Sequence, residues 1–301
     1  MEHINHFEHL GDVGICAKRV RCTADLSGCD GLVLPGGEST TMTLIAKQSD
    51  LWDALKQWVH DGRPTWGTCA GLILLGASVS NAKAGQDFLG GLDVHVARNA
   101  FGAQLASFEG PLHMSEDHMD GWNAVQSRHT PASQPSPRTQ HPTSSSAPRR
   151  TVTSSFEAAI AGVCIPPSTR RNTSTGAEDV ATANTGIFIR APAILHVGKG
   201  ATVLATVQPP PPKGTCAVAS LPITTEDHST SSQERVIVAV AASCGDGELP
   251  VLLGTAFHPE LTDCFAWHAY FAAMVQAYHA KHQTAADNTD SLHSNGAATS
   301  A

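Results

Sequence analysis

Pro64-Thr65-Trp66-Gly67-Thr68-Cys69-Ala70-Gly71-Leu72-Ile73-Leu74-Leu75 places a short strand-like segment, a cysteine between two glycines and an apolar run in immediate succession. Gly67 and Gly71 flank Cys69 as G-x-C-x-G, the cysteine form of a strand-to-helix elbow, in which a sharp turn lifts a reactive side chain above a sheet. The run from Leu72 to Leu75 reads as the start of a buried helix, and a helix N-terminus favours a thiolate. Cys69 is therefore a candidate nucleophile. Taken by itself it reads equally well as a buried structural thiol.

A distant segment supplies the partners that a nucleophilic thiol needs. In Phe257-His258-Pro259-Glu260-Leu261-Thr262, a histidine and a carboxylate stand two residues apart after the apolar run Val251 to Ala256. In an extended segment residues i and i+2 share a side, so Glu260 can orient the His258 imidazole. A base to take the thiol proton and a carboxylate to fix the base's tautomer complete the logic of a triad. A third segment, Gly31-Leu32-Val33-Leu34-Pro35-Gly36-Gly37-Glu38-Ser39-Thr40, ends a short strand in Pro-Gly-Gly. Such a backbone can approach a ligand closely, and it also fits an ordinary strand-ending turn.

The segments between these motifs alternate in type. Leu51, Trp52, Leu55, Trp58 and Val59 fall on one helical face, and Gly62 stops that helix before the strand that leads into Cys69. Strand, helix and strand within so short a stretch predict an α/β fold, with a mostly parallel sheet flanked by helices in three layers. Ligands in such sheets bind beyond the carboxyl ends of the strands, where the Gly-Gly loop and the elbow both lie. Further strands are expected at Val13–Val20, Leu92–Arg98, Ala201–Val207, Val236–Val240 and Val251–Ala256. A first helix spans Glu2 to Leu10 with Ile4, Phe7 and Leu10 inward, and His3, His6 and His9 are read as a solvated face rather than metal ligands. The last helix is expected from about Asp263 to His279, capped by Thr262.

The ordered set LPGGEST (from Leu34), GTCAGLI (from Gly67), Arg98-Asn99 with Phe101-Gly102, Ile189-Arg190-Ala191-Pro192 and FHPELT (from Phe257) resembles the glutaminase subunit of pyridoxal 5′-phosphate synthase, a class I glutamine amidotransferase-like family. The resemblance implies a glutaminase with the triad Cys69, His258 and Glu260. It implies a glutamine site formed by Gly36, Gly37, Glu38, Ser39, Arg98, Ile189 and Arg190, and an oxyanion site made by the backbone N–H groups of Gly37 and Ala70. It further implies a synthase subunit as partner, which receives the ammonia, and no metal or organic cofactor. A weakly active or non-catalytic regulatory subunit of the same complex, and another cysteine hydrolase on the same fold, remain the alternative readings.

The 301 residues carry a net charge of −8 and 41% hydrophobic content, enough for a substantial core and without the basic clustering of a nucleic-acid-binding protein. No stretch reads as a membrane span or signal peptide, so a cytoplasmic protein is expected. The eight cysteines form no C-x-x-C pair and, Cys69 apart, are read as free thiols. One glutaminase domain is expected over 1–281, interrupted by low-complexity inserts at about 113–184 and 208–235, with a disordered tail at 282–301. Members of the family begin with an apolar strand ahead of the first helix. This chain opens directly on the helix, so the first strand is expected to be missing, through an N-terminally truncated reading.

Overall fold

A computed structural model describes residues 2–10, 15–101, 107–115, 185–210, 235–243 and 249–295, with the side chains of the last helix described to residue 283. Most of both expected inserts and the truncation question lie outside these residues. The elements run α1 (Glu2–His9), β1 (Leu32–Leu34), α2 (Ser39–Gln48), α3 (Leu51–His60), β2 (Thr65–Thr68), α4 (Ala70–Leu75), β3 (Gly76–Ser80), β4 (Leu92–Ala97), β5 (Phe108–Met114), β6 (Thr185–Phe188), β7 (Ala193–Val197), β8 (Ala201–Val207), β9 (Val236–Ser243), β10 (Pro250–Thr255) and α5 (Ala266–Asn295). No helix among the described residues is long and apolar enough to cross a membrane.

The class is α/β, as the alternation predicts, and the sheet is mixed rather than mostly parallel. Its main path is β1-β2-β10-β9-β7-β4-β3. Parallel pairing holds at β1–β2, β2–β10 and β3–β4. Strands β5 to β9 pair antiparallel with their neighbours, and β9 does so with β10. Residues 244–249 between β9 and β10 are too few to carry a crossover helix, which a parallel pair would require.

Both faces of the sheet are covered. Trp66 on β2 meets His3 of α1 and His268 and Phe271 of α5 at ring separations of 5.4, 5.0 and 5.7 Å. Its neighbour Gly67 points the other way, against Gly71 and Leu72 of α4. The middle strand β2 is buried throughout, as expected of a parallel strand enclosed between helical layers. Helix α3 buries Leu51, Trp52, Leu55, Trp58 and Val59, the face read from the sequence.

Four local expectations change. Residues 15–20 form no strand: Ile15, Ala17 and Val20 half-bury against the core without pairing to β1, the strand at that edge of the sheet. His3 and His6 are not solvated; His6, Phe7 and Leu10 are buried and His3 nearly so, because α1 turns this face onto α5. Thr262 does not cap the last helix but closes a 3-10 turn at Pro259–Leu261, its hydroxyl donating to the Pro259 carbonyl at 2.9 Å. Helix α5 continues past His279 to Asn295, through a stretch that contains no glycine or proline.

Gly71 fixes how closely α4 lies on β1. A Cβ there would stand 2.0 Å from the Leu34 carbonyl oxygen. Gly71→Ala is expected to lower stability by at least about 1–3 kcal/mol, since backbone cannot yield as a side-chain tip can. Urea denaturation measures it, and an unchanged midpoint would show that α4 can move away at no cost.

Candidate active site

The register Leu34↔Gly67 on one side of β2 and Gly254↔Gly67 on the other aligns the carboxyl ends of three adjacent parallel strands. The Gly36-Gly37 loop, Cys69 and His258 leave those ends together, at the place where ligands bind in such sheets. Cys69 occupies the elbow with φ 48° and ψ −98°, a strained backbone for a residue with a side chain. Its N–H donates to the Thr255 carbonyl of β10 at 2.8 Å, tying the elbow to the strand that delivers the histidine.

His258 and Glu260 meet through the 3-10 turn rather than along an extended segment, as the i, i+2 reading supposed. His258 Nδ1 lies 2.8 Å from Glu260 Oε1. Burial opposes charge on the imidazole, but hydrogen bonds and attraction from Cys69 and Glu260 outweigh it and raise the His258 pKa to about 10. Burial likewise opposes ionisation of Glu260, and the bond from His258 overrides it, holding the carboxyl below its ordinary range. An imidazolium set between a carboxylate and a thiol is the arrangement that yields a thiolate nucleophile. Gly36 makes room for it: a Cβ there would stand 2.4 Å from His258 Cε1.

A cavity of about 250 Å³ opens over Cys69, lined by Gly37, Glu38, Ser39, Arg98, Ile189 and Arg190 of the expected set, and also by Ile73, Lys83 and Asn99. His258 and Glu260 stand behind the cysteine, off the cavity wall. Ala70 opens α4, and its N–H is among those that a helix leaves without an internal acceptor. Arg190 has φ 46°, and His258 N–H donates to the Ile187 carbonyl at 2.9 Å, which ties this loop to the triad segment.

The charges of the cavity are organised around Glu38. It caps α2 by accepting from Thr41 N–H at 2.8 Å and Thr40 N–H at 3.3 Å, and these bonds, against the opposing effect of burial, lower its pKa to about 2. Arg98 donates to Glu38 at 2.9 Å and to Gln86 Oε1 at 2.9 Å, and Gln86 Nε2 donates to the Ser39 hydroxyl at 2.9 Å. Lys83 Nζ lies 3.8 Å from Glu38. Sequence reasoning missed Lys83 and Gln86, which sit in a segment with no motif. Among the described residues no group of three or more His, Cys, Asp or Glu is placed to hold a metal ion, and Cys16, Cys22, Cys29 and Cys69 are free thiols.

Comparison with known proteins adds to this geometry. A profile of the SNO glutamine amidotransferase family matches residues 1–131. The chain is 32% identical over 276 residues to a probable pyridoxal 5′-phosphate synthase subunit PDX2 of Arabidopsis thaliana, across 91% of this chain and 81% of that protein. It is 30% identical over 272 residues to the pyridoxal 5′-phosphate synthase subunit PdxT of Salinispora tropica, across 90% of each. A more local match to the PdxT subunit of a Nocardioides species reaches 48% over 108 residues, 35% of this chain and 54% of that one. A crystal structure of a glutamine amidotransferase superposes with a TM-score of 0.52 at 25% identity, across 90% of this chain and 93% of the other.

The raised His258 pKa gives a signed expectation. Folding stabilises the imidazolium, so the contribution is complete below the ordinary value of 6.5 and is lost as pH climbs toward about 10. The melting temperature of the wild type should therefore fall relative to that of His258→Asn across this window. A constant difference between the two would remove the charged pair.

Proposed function

Since this chain belongs to the glutamine amidotransferase family of pyridoxal 5′-phosphate synthase subunits, we propose that it is the glutaminase subunit, hydrolysing L-glutamine to L-glutamate and ammonia and passing the ammonia to a synthase subunit. The observation that carries the reading is the shared end of β1, β2 and β10, where a strained cysteine, an imidazolium and a carboxylate meet beside a small cavity.

In this mechanism the Cys69 thiolate attacks the side-chain amide carbon of glutamine. The N–H groups of Gly37 and Ala70 receive the developing oxyanion. His258, holding the thiol proton, gives it to the departing ammonia, while Glu260 keeps the imidazole in place and balances its charge. Water then cleaves the glutamyl thioester, with His258 as base. Losing one oxyanion donor of this kind commonly costs on the order of 10² to 10³ in turnover.

The cavity suits the zwitterionic end of an amino acid. Glu38 offers a fixed negative charge to an ammonium, and Arg98, Lys83 and Arg190 offer positive charge to a carboxylate. The triad needs no organic cofactor or metal for this hydrolysis, and the cytoplasm is the compartment we assign.

The deciding assay is ammonia release from glutamine, with and without a cognate synthase subunit. Cys69→Ala is expected to abolish release while leaving the fold intact, and activity at the wild-type rate in that variant would sink the assignment. Glu260→Gln should retain more activity than His258→Asn, because it removes an orienting charge rather than the proton carrier. Gln86→Leu should raise KM several-fold with little change in kcat, since it loosens Arg98 and Ser39 without touching the sulfur. An unchanged KM would confine Gln86 to a structural role.

A further inference from the structure

We propose that His3 is a positioning residue for Glu260, and that His268 fixes the tautomer in which it acts. The proposal rests on the reading of Cys69, His258 and Glu260 as the glutaminase triad.

Behind His258, three groups from separate elements meet: His268, which is buried, and His3 and Glu260, which are nearly so. His3 Nε2 of α1 lies 3.3 Å from Glu260 Oε2, and His3 Nδ1 lies 2.9 Å from His268 Nε2 of α5. Glu260 Oε1 is already engaged by His258, while Oε2 is buried without a well-aligned hydrogen bond. A buried carboxylate oxygen left so is costly, and the His3 ring is placed to satisfy it. Thr68 Oγ1, one residue before the nucleophile, lies 3.4 Å from the same His3 nitrogen.

The proposal assigns a proton to one nitrogen of each ring. Burial lowers the His3 pKa to about 4 despite the attraction of Glu260, and burial also takes His268 well below its ordinary value, so both rings are neutral near pH 7. A neutral imidazole has one donor and one acceptor. If His3 Nε2–H points to Glu260, then His3 Nδ1 must accept, and it can accept only from His268 Nε2–H. That leaves His268 Nδ1 bare, and this nitrogen has no hydrogen-bond partner among the described residues. The protons then run in one direction: His268 to His3, His3 to Glu260, and from the other side His258 to Glu260. The carboxylate is gripped at both oxygens, which fixes its rotation and with it the imidazole that serves Cys69.

Helix α1 does not depend on His3 for its seat. His6 Nε2 lies 2.9 Å from the Thr262 carbonyl, Phe7 packs on His268 and Phe271, and Leu10 is buried. Substitution at residue 3 can therefore be read for its effect on the triad.

The test uses the full chain with its cognate synthase subunit. It measures glutamate release and, separately, alkylation of Cys69 by iodoacetamide, followed on the Cys69 peptide by mass spectrometry. His3→Leu is expected to lower kcat on the order of tenfold with KM within about twofold, and to slow alkylation in parallel. His3→Gln, whose amide nitrogen reaches the place of Nε2, should recover most of both. His3→Asn, whose amide stops near the Nδ1 position, should behave as leucine does and replaces it if that variant does not fold. Wild-type kcat and alkylation in the leucine or asparagine variant, with only a lower melting temperature, would overturn the proposal. A glutamine variant no better than leucine would do the same. If the wild type releases no glutamate yet His3→Leu still slows alkylation, the positioning role is upheld and the glutaminase reading fails by itself.

Discussion

The reactive end of this molecule depends on the lateral register of three parallel strands. Leu34, Gly67 and Gly254 lie side by side across β1, β2 and β10, so the loops that follow begin at one level. Residues from the early, middle and late parts of the sequence thereby meet without any local device to join them. A slip of one residue at either pairing would turn each strand's core side chains to the opposite face and withdraw one member of the site. The absence of a side chain at Gly71 protects this register, because it lets α4 press on the Leu34 carbonyl and hold the elbow down on β1.

Around that end, burial sorts the ionisable groups by the company they keep. Glu38, His258 and Glu260 all pay a desolvation penalty, and each stays charged because hydrogen bonds from named neighbours exceed it. His3 and His268 lack comparable support and are held neutral. The outcome is a layered arrangement, with charges on the cavity side and neutral rings on the helical side. A neutral ring can transmit direction through its tautomer, which a doubly protonated one cannot.

Much of this was legible in the sequence, and for identifiable reasons. The elbow at Cys69, the Gly-Gly loop and the α3 face are local patterns, whose cause lies within a few residues. The pairing of His258 with Glu260 was visible from spacing, although a 3-10 turn and not a strand produces it. Gln86 and Lys83 left no trace, since a glutamine and a lysine in a segment without a motif look like any surface residues until the fold sets them against Ser39, Arg98 and Glu38. The antiparallel half of the sheet was likewise hidden, because strand direction is set by connection length and partner rather than by the composition of the strand.

The histidines of α1 show why such a reading errs in a particular direction. A histidine repeated every three residues on a short helix is polar by composition, so a sequence rule turns that face to water. In the fold the opposite is favoured, because His268 of α5 and Phe265 just ahead of that helix present ring surfaces against which imidazoles can pack, as His6 does on His268 at 4.4 Å and on Phe265 at 4.8 Å. Once α1 is turned inward, His3 is brought to the one carboxylate oxygen that the triad leaves over. Glu260 then becomes the joint between two layers, with one oxygen toward the base that serves the cavity and the other toward the helices on the far face of β2. The geometry of the nucleophile is in this way set partly from behind the sheet, by a helix that touches no part of the cavity.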